Sequence, residues 1–257
     1  MTKMNNKYNY KKFSENSPLM IFVHGAGCDN TFWALLNRYY FFKGYSTLAI
    51  NLPGHGDNKS KGLSSIDDMA QYIVKIVKKY SSKKNILVGH SMGSLICLSI
   101  ILNKLCNAQK VVLIGAAYPM KVSSSLLNLS KENSSDAILN MINWSLPSNS
   151  KLRGSHLIGL NLPNLINTLM SKTKDNLFLD LNACNKYFID EEVLKRVENS
   201  VLIIAGMQDI MTPLKSSCFL DSLLKNSSLK TIENCGHFHI HESSYKVRNL
   251  INNYIEN

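Results

Sequence analysis

A serine hydroxyl is a poor nucleophile near neutral pH and needs a base to take its proton as it attacks. In this chain Ser91 sits in Gly89-His90-Ser91-Met92-Gly93, a G-x-S-x-G pattern whose glycines let a strand and a helix pass at a sharp turn. Five residues are a short pattern, so the surroundings decide. Asn85-Ile86-Leu87-Val88 is a β-branched apolar run that reads as a buried strand, and the apolar run 94–102 is too long for one strand and reads as a buried helix. If the order is serine, then acid, then histidine, the base lies late in the chain. His237, in Cys235-Gly236-His237-Phe238, follows the last expected strand, and Gly236 allows an unusual backbone angle just before the imidazole. Asp209, in Gly206-Met207-Gln208-Asp209, stands just past an expected strand. Its task would be to accept a hydrogen bond from the far ring nitrogen, fixing the tautomer and stabilising the imidazolium. A charged tetrahedral intermediate also needs donors; the backbone amides of Ala26 and Met92 are available, and such donors lower a barrier by about 3 kcal/mol each.

Other residues compete for these roles. His239 and His241 lie close to His237 without its preceding glycine, while His24, His55 and His90 flank motif turns and read as structural hydrogen-bonders. Asp180, Asp190, Asp221 and Glu233 rival Asp209, and most read as solvated helix or loop charges. No G-x-G-x-x-G or Walker lysine supports a nucleotide-binding turn at Ser91. The six cysteines, at 28, 97, 106, 184, 218 and 235, form no C-x-x-C pair and no zinc-spaced cluster with histidine. Neither a metal nor a cofactor is expected, and Cys97 and Cys218, in apolar stretches, suit reduced thiols in a cytoplasmic protein.

The elements that must position these side chains alternate strand and helix. Strands are expected at 19–23, 46–50, 85–88, 110–115 and 201–205, with a weaker one at 229–232 and an edge strand at 8–13. Helices are expected at 31–40, 94–102, 213–225 and 242–256. The clearest spans 65–80, where Ser65 and Asp68 suit a capping box and Ile66, Met69, Ala70, Ile73, Val74, Ile76, Val77 and Tyr80 form an apolar face. Strands apolar on both faces and alternating with helices imply an α/β fold, a mainly parallel, doubly wound sheet covered on both sides. Ser91, Asp209 and His237 then all fall at carboxyl ends of strands, the edge where such sheets place their sites.

From 118 to 196 the rhythm gives way to helical patterns. Ser135-Asp136 can cap one helix carrying Ile138, Leu139, Met141, Ile142 and Trp144, and Pro163 can open another with Leu165, Ile166, Leu169 and Met170. Residues 118–196 are therefore expected to form a helical cap or lid inserted in a core made of 1–117 and 197–257. An apolar substrate pocket with Trp144 in its wall is the default for such a cap.

The chain resembles the α/β-hydrolases of the esterase and lipase kind. The resemblance rests on His24-Gly25-Ala26-Gly27, Leu52-Pro53-Gly54-His55-Gly56, Gly89-His90-Ser91-Met92-Gly93, Gly206-Met207-Gln208-Asp209 and Gly236-His237, in the family's order and across essentially the whole chain. It implies Ser91 as nucleophile, Asp209 as acid, His237 as base, and Ala26 and Met92 as oxyanion-hole amides. Asn51 departs from the acidic residue that often precedes the Leu-Pro-Gly-His-Gly turn. Within the family the chain is similar to small bacterial serine carboxylesterases and to esterases acting on acyl-carrier methyl esters.

The expected activity is hydrolysis of a carboxylic ester with an apolar acyl group through an acyl-enzyme. Three alternatives stand beside it: a methyl-ester hydrolase working on a substrate bound to an acyl carrier protein, a carbon–carbon bond hydrolase or lyase using the same triad, and a non-catalytic binding protein on the same fold. The formal net charge of +11 raises the question of an acidic partner. The lysines are dispersed, with small groups in the first dozen residues and around 75–84, and reflect a compositional habit rather than a nucleic-acid surface. An acidic acyl carrier would need only a local basic rim, for which Lys151, Arg153, Lys172 and Lys174 are available on the cap. No apolar run is long enough for a membrane span, no secretory signal is visible, and the oligomeric state is not legible.

Overall fold

Strands that are apolar on both faces demand cover on both, and this sets the architecture. The computed structural model describes residues 2–5, 7–80, 84–148 and 161–256. The strands are β1 (Thr2–Asn5), β2 (Tyr8–Lys11), β3 (Leu19–Val23), β4 (Ser46–Ile50), β5 (Asn85–His90), β6 (Ala108–Ile114), β7 (Ser200–Gly206) and β8 (Ser227–Ile232). They form one sheet in the order β1-β2-β4-β3-β5-β6-β7-β8. β2 pairs antiparallel with β1 and β4, and all pairings from β4 across to β8 are parallel.

The helices of the described residues are α1 (Ala34–Phe42), α2 (Ile66–Val77), α3 (Met92–Leu102), α4 (Ser124–Glu132), α5 (Ser134–Ser145), α6 (Leu162–Ser171), α7 (Leu177–Lys186), α8 (Glu191–Leu194), α9 (Leu214–Leu223), α10 (His239–Glu242) and α11 (Ser244–Glu256). Alternation along the strands splits the core in two. Leu19, Ile21 and Val23 of β3 join Leu87, Leu113 and Ile203 beneath Ile73 of α2, Leu98 of α3 and Leu220 of α9. Met20 and Phe22 point the other way and join Val88, Val112 and Ile204 beneath Leu36 and Tyr40 of α1 and Val247 and Ile251 of α11. The sheet is doubly wound, as its strand patterns require.

Local chemistry explains the element boundaries. Ser65 accepts from the Asp68 amide at 3.1 Å and starts α2, whose buried face is Ile66, Met69, Ala70, Ile73, Val74, Ile76 and Val77. Four expectations change. Tyr8–Lys11 is not the sheet edge, because β1 adds outside it in register Thr2↔Lys11; so short a polar segment carries no apolar signal of its own. The helix expected from Thr31 begins as a 3-10 turn, Asn30–Trp33, capped by Asp29 accepting from Thr31 N at 2.8 Å. The last helix is divided at Ser243, between α10 and α11. Asn133, not Ser135, caps α5, its side chain accepting from Asp136 N at 3.2 Å. Between β6 and β7 the described residues hold helices α4 to α8 and no strand; Lys151 and Arg153 lie outside the described residues.

The chain leaves β3 for β4 on one side and returns as β5 on the other, so the carboxyl ends of β3 and β5 flank the crevice at which such sheets bind ligands. The turn from β5 into α3 crosses β3 at close range. A Cβ on Gly93 would lie 2.2 Å from Val23 O, and one on Gly89 2.3 Å from Gly93 O. The glycine spacing in the sequence therefore answers a steric limit. Gly93→Ala is expected to lower unfolding free energy by about 3 kcal/mol, the upper range for overpacking, read from the urea midpoint; an unshifted midpoint would contradict the crossing geometry.

Candidate active site

Ser91 occupies the sharp turn between β5 and α3 with φ 52° and ψ −119°, a left-handed conformation rare for a residue with a side chain. Its amide donates to Ile114 O of β6 at 2.9 Å, tying the turn to the sheet. α3 starts at Met92, so the Met92 N–H is one of the leading amides that an α-helix leaves without an internal partner. Ser91 is half-buried in the wall of a cavity of about 290 Å³ that Gly25, Ala26, His90, Thr212 and His237 also line.

His237 reaches this cavity from the loop after β8, and Asp209, on the loop after β7, stands behind it. Nδ1 of His237 and Oδ2 of Asp209 are 2.8 Å apart, with both side chains buried. Thr212 secures the carboxylate: its N–H donates to Oδ1 at 2.8 Å and its hydroxyl to Oδ2 at 2.6 Å. Burial alone would raise the Asp209 carboxyl, but the His237 imidazole, His239 and the Thr212 hydroxyl outweigh it and hold it well below the ordinary carboxylate range. No hydrogen bond joins Ser91 to His237 among the described residues; contacts between a nucleophile and its base are often long until substrate closes them.

The main chain around His237 is held at every polar group. Its N–H donates to Ser145 O at the end of α5 at 2.8 Å. Its carbonyl accepts from His90 Nε2 at 2.8 Å and from His239 Nδ1 at 2.7 Å, which fixes the tautomer of both rings. Glu242 Oε2 accepts from the Gly236 amide at 3.0 Å and Oε1 from the Phe238 amide at 2.9 Å. Burial, together with the neighbouring imidazoles, pushes His90 well below its ordinary pKa, and burial pushes His239 down to about 4. Both rings are thus neutral donors near pH 7. His239 Nε2 stays 3.9 Å from Asp209 Oδ2, beyond hydrogen-bond range, so it is His237 that the carboxylate orients.

Gly236 has a different reason from the one read in the sequence. It is not among the positive-φ glycines; a Cβ there would lie 2.0 Å from Ser145 O, so glycine serves the close approach of α5. The rival acids also divide. Asp190 and Glu233 are exposed and Asp221 half-buried, whereas Asp180 on α7 is fully buried, with Oδ2 2.8 Å from His55 Nε2 and accepting from Gly27 N at 2.9 Å. Cys218, expected in apolar surroundings, is exposed on α9, and all six cysteines are free thiols. Sequence reasoning missed Thr212 and Glu242. Their signals are local: Thr212 follows Asp209 by three residues, the reach of a turn bond, and Glu242 follows His237 by five.

The cavity wall opposite Ser91 is apolar: Met120, Leu126, Met141, Trp144, Met170 and Leu181 contribute to it, with Lys121 at its margin. Trp144 is 39% exposed, so it faces both cavity and solvent. Among the described residues no group of three His, Cys, Asp or Glu side chains is arranged to hold a metal ion, and no helix is long and apolar enough to cross a membrane.

Comparison with known proteins shows the family of the fold. A family model described as the alpha/beta hydrolase fold matches residues 18–244, and the chain belongs to that family. It is 30% identical over 244 residues to the putative esterase/lipase 2 of Mycoplasma genitalium, covering 89% of this chain and 85% of that one. To the pimeloyl-[acyl-carrier protein] methyl ester esterase of Nitrosomonas europaea it is 26% identical over 247 residues, covering 86% and 89%. Mammalian relatives are longer: the match to protein ABHD8 of Bos taurus, 22% identical, takes in 95% of this chain but 57% of that protein, so the chain spans a little over half its length. The solved structure of the esterase EaEST from Exiguobacterium antarcticum shares the fold, with a TM-score of 0.85 over 97% of this chain and 96% of that one at 17% identity.

Glu242→Ala strips two buried amides of their acceptor, each worth about 1–3 kcal/mol. Its unfolding free energy by urea titration is expected to fall by about 2 kcal/mol or more; a fall within error of zero would show that Glu242 does not hold the His237 loop.

Proposed function

We propose that the chain is a serine carboxylesterase that cleaves esters with apolar acyl groups through an acyl-enzyme on Ser91. One observation carries the reading: a strained serine at the head of α3 shares an apolar cavity with an imidazole whose Nδ1 is 2.8 Å from a buried carboxylate. His237 Nε2 takes the Ser91 proton as Oγ bonds to the ester carbonyl carbon, and Asp209 stabilises the imidazolium. The carbonyl oxygen becomes an oxyanion and accepts from the Ala26 and Met92 amides. Collapse breaks the ester C–O bond, and the imidazolium returns the proton to the leaving alcohol. A water then attacks the acyl carbon with His237 as base, releasing the carboxylic acid and restoring Ser91.

Support for Ala26 comes from its peptide unit. Gly25 O accepts from Cys28 N at 3.2 Å and from His24 Nδ1 at 2.9 Å. In a trans peptide the N–H points away from the carbonyl, and Ala26 lines the cavity. We assign residues 118–196 as a cap over a core of 1–117 and 197–257, since α5 and α6 supply Met141, Trp144 and Met170 to the cavity wall. The free thiols favour the cytoplasm.

A second substrate class is supported by Lys121 beside the cavity and by the acyl-carrier name of the Nitrosomonas relative: a methyl ester on an acidic acyl carrier protein. In that case the carrier-bound ester outperforms the free ester and its kcat/KM falls steeply with salt; equal rates with no salt dependence remove it. For the central reading, Ser91→Ala is expected to lower turnover of p-nitrophenyl butyrate by about 10⁴-fold or more with an unchanged melting temperature. Retention of wild-type turnover in that variant would overturn it.

A further inference from the structure

Three side chains from one stretch of the cap reach the loops that follow β3 and β4. Thr173 Oγ1 donates to Gly27 O, and Asn176 Nδ2 donates to Gly54 O at 2.7 Å. Asp180, on α7, accepts the Gly27 N–H at 2.9 Å and faces His55 Nε2 at 2.8 Å with the same oxygen. Both main-chain polar groups of Gly27 are therefore held from the cap. Gly27 directly follows Ala26, whose amide the esterase reading places in the oxyanion hole.

The His55–Asp180 contact is an ion pair. Both side chains are 1% exposed. His55 Nδ1 faces Pro53 O at 3.0 Å while Nε2 faces the Asp180 carboxylate. Pro53 O can only accept, so Nδ1 donates to it; a proton on Nε2 as well makes the ring an imidazolium facing the Asp180 carboxylate. The groups around it are few. His24, with ring centroid 4.9 Å away, donates through Nδ1 to Gly25 O and accepts from Leu52 N, which makes it neutral. Asp29 on the same loop has Lys172 Nζ of the cap 4.0 Å away. Burial works against the charge on His55, but Asp180, with smaller help from Pro53 O and Asp29, outweighs it and raises the pKa above its ordinary value. A buried ion pair is poor evidence for net stability, because apolar replacements often do as well; its best attested use is to fix register.

We propose that Asp180 is a positioning residue for the oxyanion hole: α7 docks through Asp180 and Thr173 onto Gly27 and His55, and this docking sets the loop that presents the Ala26 amide. Wall and hole are then assembled together. When α7 is seated, the cavity is closed by Leu181 and the loop is fixed; when it lifts, the Gly27 peptide loses both partners and the hole loses one donor. Hydrolysis is thereby confined to the closed cap. The proposal rests on the esterase reading for its catalytic consequence and on the contacts at Gly27 alone for its structural one.

Asp180→Asn preserves shape while removing the charge; a neutral His55 then donates to only one of Pro53 O and residue 180, which loosens the seat of α7 on these loops. Thr173→Val removes the grip on the Gly27 carbonyl and is the milder variant if Asp180→Asn folds poorly. With p-nitrophenyl butyrate, both are expected to lower kcat, Asp180→Asn by tenfold or more, with KM within twofold of wild type. Amide hydrogen exchange of residues 26–28 is expected to quicken tenfold or more while β5 stays protected. The pH dependence has a definite sign. Because the His55 pKa is raised, its stabilisation is complete below the unfolded value and lost as pH rises through the folded one. Protection of residues 26–28, corrected for intrinsic exchange, should therefore fall with rising pH in the wild type and be pH-independent in Asp180→Asn. Unchanged exchange at 26–28 in both variants, or unchanged kcat with only KM raised, would overturn the proposal. An inactive wild type would instead count against the esterase reading, and the exchange measurement would still decide whether Asp180 holds the loop.

Discussion

The passage of α3 across β3 is the constraint from which the rest of the molecule follows. Gly93 comes so close to Val23 O that no side chain fits between them, and the turn leading into α3 forces Ser91 to φ 52°. Such a backbone costs about 1–3 kcal/mol and persists only where its surroundings over-determine it. Here α3 supplies that: every residue from Met92 to Ile101 is buried, so the helix has one seat in the sheet and Ser91 has one place to stand. A central helix buried on all sides thus converts apolar burial into the fixed exposure of one hydroxyl.

Around that hydroxyl the polar groups are organised by satisfaction rather than by charge. Hydrogen-bond partners separate the tasks of the buried histidines on the neighbouring loops. His24, His90 and His239 are neutral rings spent on backbone contacts, while His237 alone combines a carboxylate at Nδ1 with a place on the cavity wall. The carbonyl of His237 takes two of these rings, and its flanking amides take Glu242. An imidazole meant to swing between Oγ and a leaving group needs such a rigid mounting, because a small misplacement of a reacting group is costly in rate.

The fold was legible because it is written in periodicity. Double-sided runs such as Leu19–Val23 and Val201–Ala205 admit only a covered parallel sheet, and the structure has one. β1 was invisible because its pairing is a main-chain matter, with no apolar face to announce it. At the site, Ser91, Asp209 and His237 could be picked out from turn chemistry at strand ends, and the structure brings Ser91 and His237 to one cavity with Asp209 behind. What sequence could not reveal were contacts made across the fold. Asp180 looked like a solvated helix charge because its partners, Gly27 and His55, lie more than 120 residues away. Gly236 looked like a backbone device because the α5 carbonyl that crowds it is equally remote.

The most direct measurement is peptide mapping by mass spectrometry after brief treatment with a fluorophosphonate, a reagent that phosphonylates only an activated serine. A serine made nucleophilic by His237 should carry the adduct at Ser91, at one per chain, and Asp209→Ala or His237→Ala should slow its formation by orders of magnitude. Absence of the adduct from folded protein, or its appearance on another residue, would contradict the assignment of Ser91 as nucleophile and leave the fold with a binding role instead.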